Sequence, residues 1–310
     1  MVSANTASSL ERFTKGLIKD KYLYLMVLPG ILFMTLFRYL PMGGLIIAFK
    51  EFSFRKGIWG SDWAGLENFR FIFTQNPDFY SIVSNTLVIN LLRLIFFFPF
   101  PIVIALMINE LRGKRLKSFV QTTVYLPYFV SWVVFGGIAM QFLSTTGIAN
   151  QVLELFGLKA VPFMQKAEYF KGIVVALDIW KNAGWSTIMY LSALTTIDQE
   201  IYEAARIDGA SGLQAVFHIS IPGISDTIVV LLLLQIGSIM DVGFEQIYVL
   251  CKPILYTVGD VISTYVYRIG IGNAQFSMTA AIGLFQSFIG LIMIMLANTA
   301  CKKLFDKSLW

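Results

Sequence analysis

The sequence is short of the residues on which soluble enzymes and disulfide-stapled domains depend. In 310 residues it holds one histidine, His218, and two cysteines, Cys251 and Cys301. One histidine excludes a two-histidine metal site, and two cysteines far apart in sequence offer no metal-ligand spacing and no expected disulfide. His218 is expected to be structural. A phosphate-binding loop is missing too: Gly113-Lys114 is followed by Arg115, without the preceding glycine or the magnesium-binding hydroxyl. No nucleophile elbow accompanies His218, so a Ser-His-Asp triad is not expected. The chain is therefore expected to be non-catalytic, with no catalytic residue, metal ligand or cofactor of its own. Charge is also scarce, at 14% of residues.

Apolar side chains fill the space that charge leaves. They make up 56% of the chain, with a mean hydropathy of +0.69, more than one soluble core of this length can bury. Runs at 22–47, 82–108, 123–143, 172–194, 227–250 and 278–299 each reach the roughly 20 residues that a bilayer-spanning helix needs. The pattern predicts an all-α integral membrane protein with six transmembrane helices. The first run is too long for a signal-peptide core and ends in no small-residue cleavage site, so it is expected to stay as an anchor.

The net charge of +5 does not point to nucleic acid, because the basic residues flank the apolar runs and match membrane lipid instead. Arg12, Lys15, Lys19 and Lys21 precede the first run; Arg112, Lys114, Arg115 and Lys117 follow the second; Lys302, Lys303 and Lys307 follow the sixth. Their local density predicts both termini in the cytoplasm of a multi-pass cell-membrane protein. The chain then divides into a cytoplasmic segment 1–21, a transmembrane domain 22–300 of six helices with a cytoplasmic loop 195–226, and a cytoplasmic tail 301–310.

That loop carries helix signals. Thr196 with Gln199, and Ser211 with Gln214, fit the capping-box spacing. Gly209 suits the left-handed residue that ends a helix, and Pro222-Gly223 stops the second one. Leu213, Val216 and Phe217 form an apolar edge at helical spacing.

Within the runs, a charge at the bilayer centre costs about 2.5–3.5 kcal/mol, so intramembrane polar groups are expected to face a cavity or a partner. Gln235, Ser238, Asp241 and Glu245 share one helix face and are candidates for a substrate path, with Gly237 and Gly243 as points where the helix can bend or break. Asp241 and Glu245 have an equal claim to the outer interface or a partner subunit. Asp178 and Lys181, three residues apart, are expected to neutralise each other. Trp180 and Trp185 suit interfacial anchoring or stacking on a ring-shaped ligand, with anchoring favoured. Arg38 and Arg93 are expected to snorkel or to pair with another subunit. Gly283, Ser287 and Gly290 mark helix packing, with Gln286 a secondary path candidate.

The loop also reads Glu203-Ala204-Ala205, Gly209, then Ile219-Ser220-Ile221-Pro222. This resembles the E-A-A-x3-G-x9-I-x-L-P motif of binding-protein-dependent ABC importer permeases, with Ile221 where leucine is usual. PGILFMTLFRYLPMGGLIIAFKEFSF, GLENFRFIF, NELRGKRLKSFVQTTVYLPYFVSWVV, VGFEQIYVL and the terminal Ser308-Leu309-Trp310 are similar to the lipoprotein/polysaccharide-type branch of the carbohydrate permeases. The resemblance implies a type I ABC importer permease architecture that translocates a carbohydrate, in all expectation an oligosaccharide, by alternating access. It implies a second homologous permease, two ATPase subunits holding ATP and magnesium, and an extracellular solute-binding lipoprotein. It places Glu203, Ala204, Ala205 and Gly209 on a coupling helix gripped by an ATPase, with Arg206, Ile207 and Asp208 in the contact region. The alternative reading is an ion-coupled secondary transporter with Asp241 or Glu245 as its proton site.

Overall fold

The structure is a computed structural model that describes residues 20–111 and 113–305. Arg12, Lys15, Lys19, Arg112, Lys307 and the Ser308-Leu309-Trp310 motif lie outside the described residues. Helix α1, Lys21–Phe49, is followed by a hairpin of two short antiparallel strands, β1 (Lys50–Glu51) and β2 (Asp62–Trp63). Next come α2 (Glu67–Thr74), α3 (Phe79–Glu110), α4 (Lys114–Phe129), α5 (Trp132–Phe142), α6 (Ile148–Leu155) and α7 (Ala167–Leu194). The chain continues through α8 (Gln199–Ile207), α9 (Gly212–Gly223), α10 (Ser225–Gly237), α11 (Phe244–Leu250), α12 (Ile262–Gly270) and α13 (Phe276–Phe305).

Three of these helices, α1, α3 and α13, are long and apolar enough to cross a bilayer unaided, and two bent pairs bring the number to five. The first, second and sixth predicted runs are thus continuous helices. The third and fifth are not. The run 123–143 is split: α4 and α5 meet at 98°. Pro127 lacks the amide that would continue the ladder, and the Ser131 hydroxyl accepts the amide of Val134 to start α5 afresh. The run 227–250 is broken between Gly237 and Phe244, and α9 meets α10 at 61°.

Helix α7 is the pillar. It is 28 residues long and buries Phe170, Val174, Leu177, Asp178, Lys181, Gly184 and Tyr190, among others. Around it lie two apolar clusters. One joins Ile89 of α3, Phe135 and Ala139 of α5, and Ile247 and Leu250 of α11; the other joins Ala105 and Ile108 of α3 to Leu191, Leu194 and Ile224. A third cluster packs α13 against α12 and the starts of α2 and α3 through Ile72, Ile82, Ile262 and Ile282. Helix α1 differs: residues 21–42 are exposed throughout, and so apolar a surface belongs in lipid or against another membrane helix.

The approach of α4 to α7 depends on Gly184, where an added Cβ would stand 2.0 Å from the Val124 carbonyl oxygen. A backbone carbonyl cannot swing aside as a side-chain tip can. Gly184→Ala is therefore expected to force the two helices apart and cost about 1–3 kcal/mol. Thermal denaturation in detergent checks this, with Gly172→Ala, which meets nothing within 4 Å, as the silent control.

Candidate functional site

Two regions gather the polar residues that the sequence singled out. The first is the break in the fifth run. Helix α10 ends at Gly237, and Gly243 takes a positive φ of 91° that glycine adopts without strain. The carbonyls of Ile239, Met240 and Val242 have lost their helical donors, and with Met240 and Val242 buried they need donors from within the protein. Three side chains from elsewhere supply them. Asn90 of α3 donates to Ile239 O (2.8 Å), Gln286 of α13 to Met240 O (2.8 Å) and Arg93 of α3 to Val242 O (2.8 Å). Gln246 then ties α11 to α7 through Val174 O at 2.7 Å.

Arg93 has a second task. Its Nε donates to Asp178 on α7 at 2.7 Å, and Asn182 donates to the other carboxylate oxygen at 2.6 Å. Asp178 is fully buried, at 0% exposure. Pairing of Asp178 with Lys181 is therefore not what forms, and Arg93 finds its carboxylate within this chain. Lys181 instead donates to the carbonyls of Tyr128 (2.8 Å) and Pro127 (3.4 Å), the groups freed by the α4–α5 bend. Three residues along a helix put Asp178 and Lys181 near one face, but each found a fixed partner across the bundle.

The shared face of Gln235, Ser238, Asp241 and Glu245 also does not survive, because the helix that would carry it stops at Gly237. Gln235 and Ser238 line a cavity of about 290 Å³ together with Trp185 and Tyr190 of α7 and Phe97 of α3. Asp241 caps its own turn by accepting the Gly243 amide at 2.9 Å, and Glu245 is exposed at the start of α11. Gln286 is spent on Met240 O and lies outside that cavity. Trp185 stacks face to face on Tyr128, with centroids 4.5 Å apart, and its indole borders the cavity. The sequence marks Asn90 only as one of two asparagines, with Asn85, inside the apolar run 82–108.

The second region is the helical pair α8–α9. Asp198, not Thr196, caps α8: its carboxylate accepts the Glu200 amide at 3.0 Å, whereas Thr196 donates back to Ala193 O. The two-residue reach of an aspartate won over the three-residue box. At the far end Gly209 has φ +83°, with Ala210 N bonded to Ala205 O and Gly209 N to Arg206 O, a Schellman closure. Ser211 and Gln214 form the expected capping box. A buried hydrogen bond of 2.9 Å between Tyr202 and Ser220 staples α8 to α9. Glu203, Ala204, Arg206, Ile207, Asp208 and Gly209 are exposed and Ala205 is half-buried. Ile207 is 86% exposed and Leu213 72%. His218 bonds the Gln214 carbonyl on the exposed side of α9.

A helical bundle with a braced break in one helix and a capped, exposed helix pair fits the class of membrane transport subunits. The family of binding-protein-dependent transport system inner membrane components matches residues 98–304, and the chain belongs to it. It is 43% identical over 301 residues to permease protein YteP of the polygalacturonan/rhamnogalacturonan transport system of Bacillus subtilis (strain 168), covering 97% of this chain and 94% of that one. It is also 43% identical to Protein LplB of the same organism, covering 94% and 92%. A solved structure of a bacterial ABC transporter that imports the acidic polysaccharide alginate superposes with a TM-score of 0.87 at 40% identity, over 95% of this chain and 99% of its counterpart. The chain is a non-catalytic permease subunit, as these relatives are.

The Arg93–Asp178 pair makes a testable demand. Arg93→Met leaves a fully buried carboxylate uncompensated and is expected to cost about 3–5 kcal/mol in thermal or denaturant unfolding. Adding Asp178→Asn is expected to recover part of that loss. The remainder measures the Val242 carbonyl left without its donor.

Proposed function

We propose that this chain forms half of the pore of an ATP-driven importer of an oligosaccharide. It pairs with a second homologous permease over two ATPase subunits that hold ATP and magnesium, and receives its solute from an extracellular solute-binding lipoprotein. Six spans cross the plasma membrane with both termini in the cytoplasm: α1, α3, α4 with α5, α7, α10 with α11, and α13. Helix α7 carries four charged residues, Glu168, Lys171, Asp178 and Lys181, but at about 1.5 Å per residue its 28 residues reach across a bilayer.

The observation that carries this reading is the stiffness of the α8–α9 pair. It is closed at Asp198, Gly209 and Ser211 and stapled by Tyr202, yet it leaves Ile207 and Leu213 without cover. A lever that transmits motion from an ATPase must not bend under load, and one with exposed apolar tips needs a groove to enter. Glu203, Ala204, Ala205, Arg206, Ile207, Asp208 and Gly209 supply that contact. Alternating access then follows from rocking of the bundle around the Trp185–Gln235–Ser238 cavity, whose indole and amide suit a sugar ring and its hydroxyls. Two findings support the solute class: the pectin-type substrates in the name of the Bacillus relative, and a neighbouring structure bound to a periplasmic protein carrying an alginate pentasaccharide. The secondary-transporter alternative, with Asp241 or Glu245 as proton site, loses ground because Asp241 is engaged in its own turn, Glu245 is exposed at the start of α11, and the chain belongs to a binding-protein-dependent family.

The tagged chain, purified in mild detergent from its native membrane, is expected to bring a second permease and an ATPase in the same peak. A lone monomer or homodimer sinks the importer reading. Gly209→Val, which forces a β-branched residue to φ +83°, is expected to abolish ATP-driven uptake without lowering the amount inserted in the membrane. Normal uptake by a well-inserted variant overturns the coupling role.

A further inference from the structure

A second cavity, of about 340 Å³, lies where α11 and α12 meet, in the segment that the importer reading puts at the outer mouth of the pore. Its walls carry Tyr248, Tyr256, Tyr267, Arg268, Asp260 and Cys251. The tyrosines form a platform. Tyr248 and Tyr267 meet edge to face at 5.3 Å, and Phe244 braces both at 4.9 and 5.0 Å. Among the described residues, the hydroxyls of Tyr248, Tyr256 and Tyr267 have no hydrogen-bond partner.

The charges are arranged unevenly. The Asp260 carboxylate is buried, with 4% of its side chain exposed, and accepts from Thr264 at 2.6 Å and from Arg268. Arg268 is 36% exposed and held between the rings of Tyr256 and Tyr265, at 4.6 and 5.3 Å. Its Nη2–Asp260 bond is the one hydrogen bond it makes among the described residues, which leaves most of its five N–H donors uncommitted. Both charges border the cavity, the carboxylate almost wholly buried and the guanidinium the more open of the two. Burial pushes the Cys251 thiol up to about 12, so it adds no opposing charge.

We propose that this cavity binds one uronyl ring of the arriving saccharide, the sugar face lying on Tyr248 and Tyr267 and the ring carboxylate against Arg268. The proposal rests on the importer reading and narrows its solute to acidic oligosaccharides. An aromatic platform accepts the C–H face of a pyranose, the phenols bond its hydroxyls, and a planar guanidinium held by stacked rings is preorganised for a carboxylate.

The test uses the complete importer in liposomes, supplied with its binding protein loaded with trimers of galacturonate or mannuronate, or with their carboxyl-reduced neutral forms. The readout is uptake rate per unit of loaded binding protein at low concentration. Arg268→Met with Asp260→Asn removes both charges together, so no buried carboxylate is stranded. This double variant is expected to lower uptake of the uronate trimers by roughly tenfold or more, and of the neutral trimers less than about threefold. Tyr248→Leu, at an exposed position away from the buried pair, is expected to lower uptake of both kinds several-fold. An equal fall for charged and neutral trimers in the double variant, or no fall with Tyr248→Leu, overturns the site. If the unsubstituted importer takes up only neutral trimers, the uronyl assignment falls and the importer reading stands. If it takes up neither, both fall.

Discussion

Backbone carbonyls freed inside a membrane must find donors within the protein, and most of this structure is organised around that requirement. Helix α10 stops at Gly237, so the strip 238–243 frees carbonyls at Ile239, Met240 and Val242 in a buried stretch where an unsatisfied one is costly. Asn90, Arg93 and Gln286 reach it from two other helices. The bend between α4 and α5 raises the same problem, and Lys181 answers it at Pro127 and Tyr128. Both irregular stretches therefore persist only while α3, α7 and α13 hold their present positions.

These donors are charged or strongly polar, and their own desolvation has to be offset. Arg93 meets that need by pairing with Asp178, which Asn182 also steadies. Lys181 lies against the rings of Tyr128 and Trp132, at 5.4 and 5.5 Å. One network thus fixes the break, the bend and the central helix α7 together. A subunit that rocks as a body needs such bracing, because a break that flexed independently would dissipate motion delivered from below. The α8–α9 pair shows the same economy: caps at both ends and one buried hydroxyl contact make a short lever from a segment of low hydropathy.

Much of this was legible from composition and local spacing. Apolar runs located α1, α3 and α13; Gly209 and the Ser211–Gln214 pair located the turn between α8 and α9; and the Glu203–Pro222 pattern pointed to the family. Each of these signals is local, since a hydropathic run, a positive φ and a cap each involve a few adjacent residues. Reading failed where the outcome depended on choice among partners. Thr196 and Asp198 both sat at capping distance, and only the path of the chain selected Asp198. Asp178 had Lys181 close by in sequence and took Arg93, 85 positions away.

The sequence by itself determined that this is a helical membrane protein with a capped helix pair at its surface, because hydrophobicity and backbone preference act through near neighbours. Only the tertiary structure decided that the fifth run breaks rather than bends, that Gln235, Ser238 and Trp185 share one cavity while Asp241, Glu245 and Gln286 do not, and that Arg268 stands more open than Asp260 to the space both border. Those outcomes turn on which distant side chain reaches a freed carbonyl or a buried charge first, and no periodicity along a single helix encodes that.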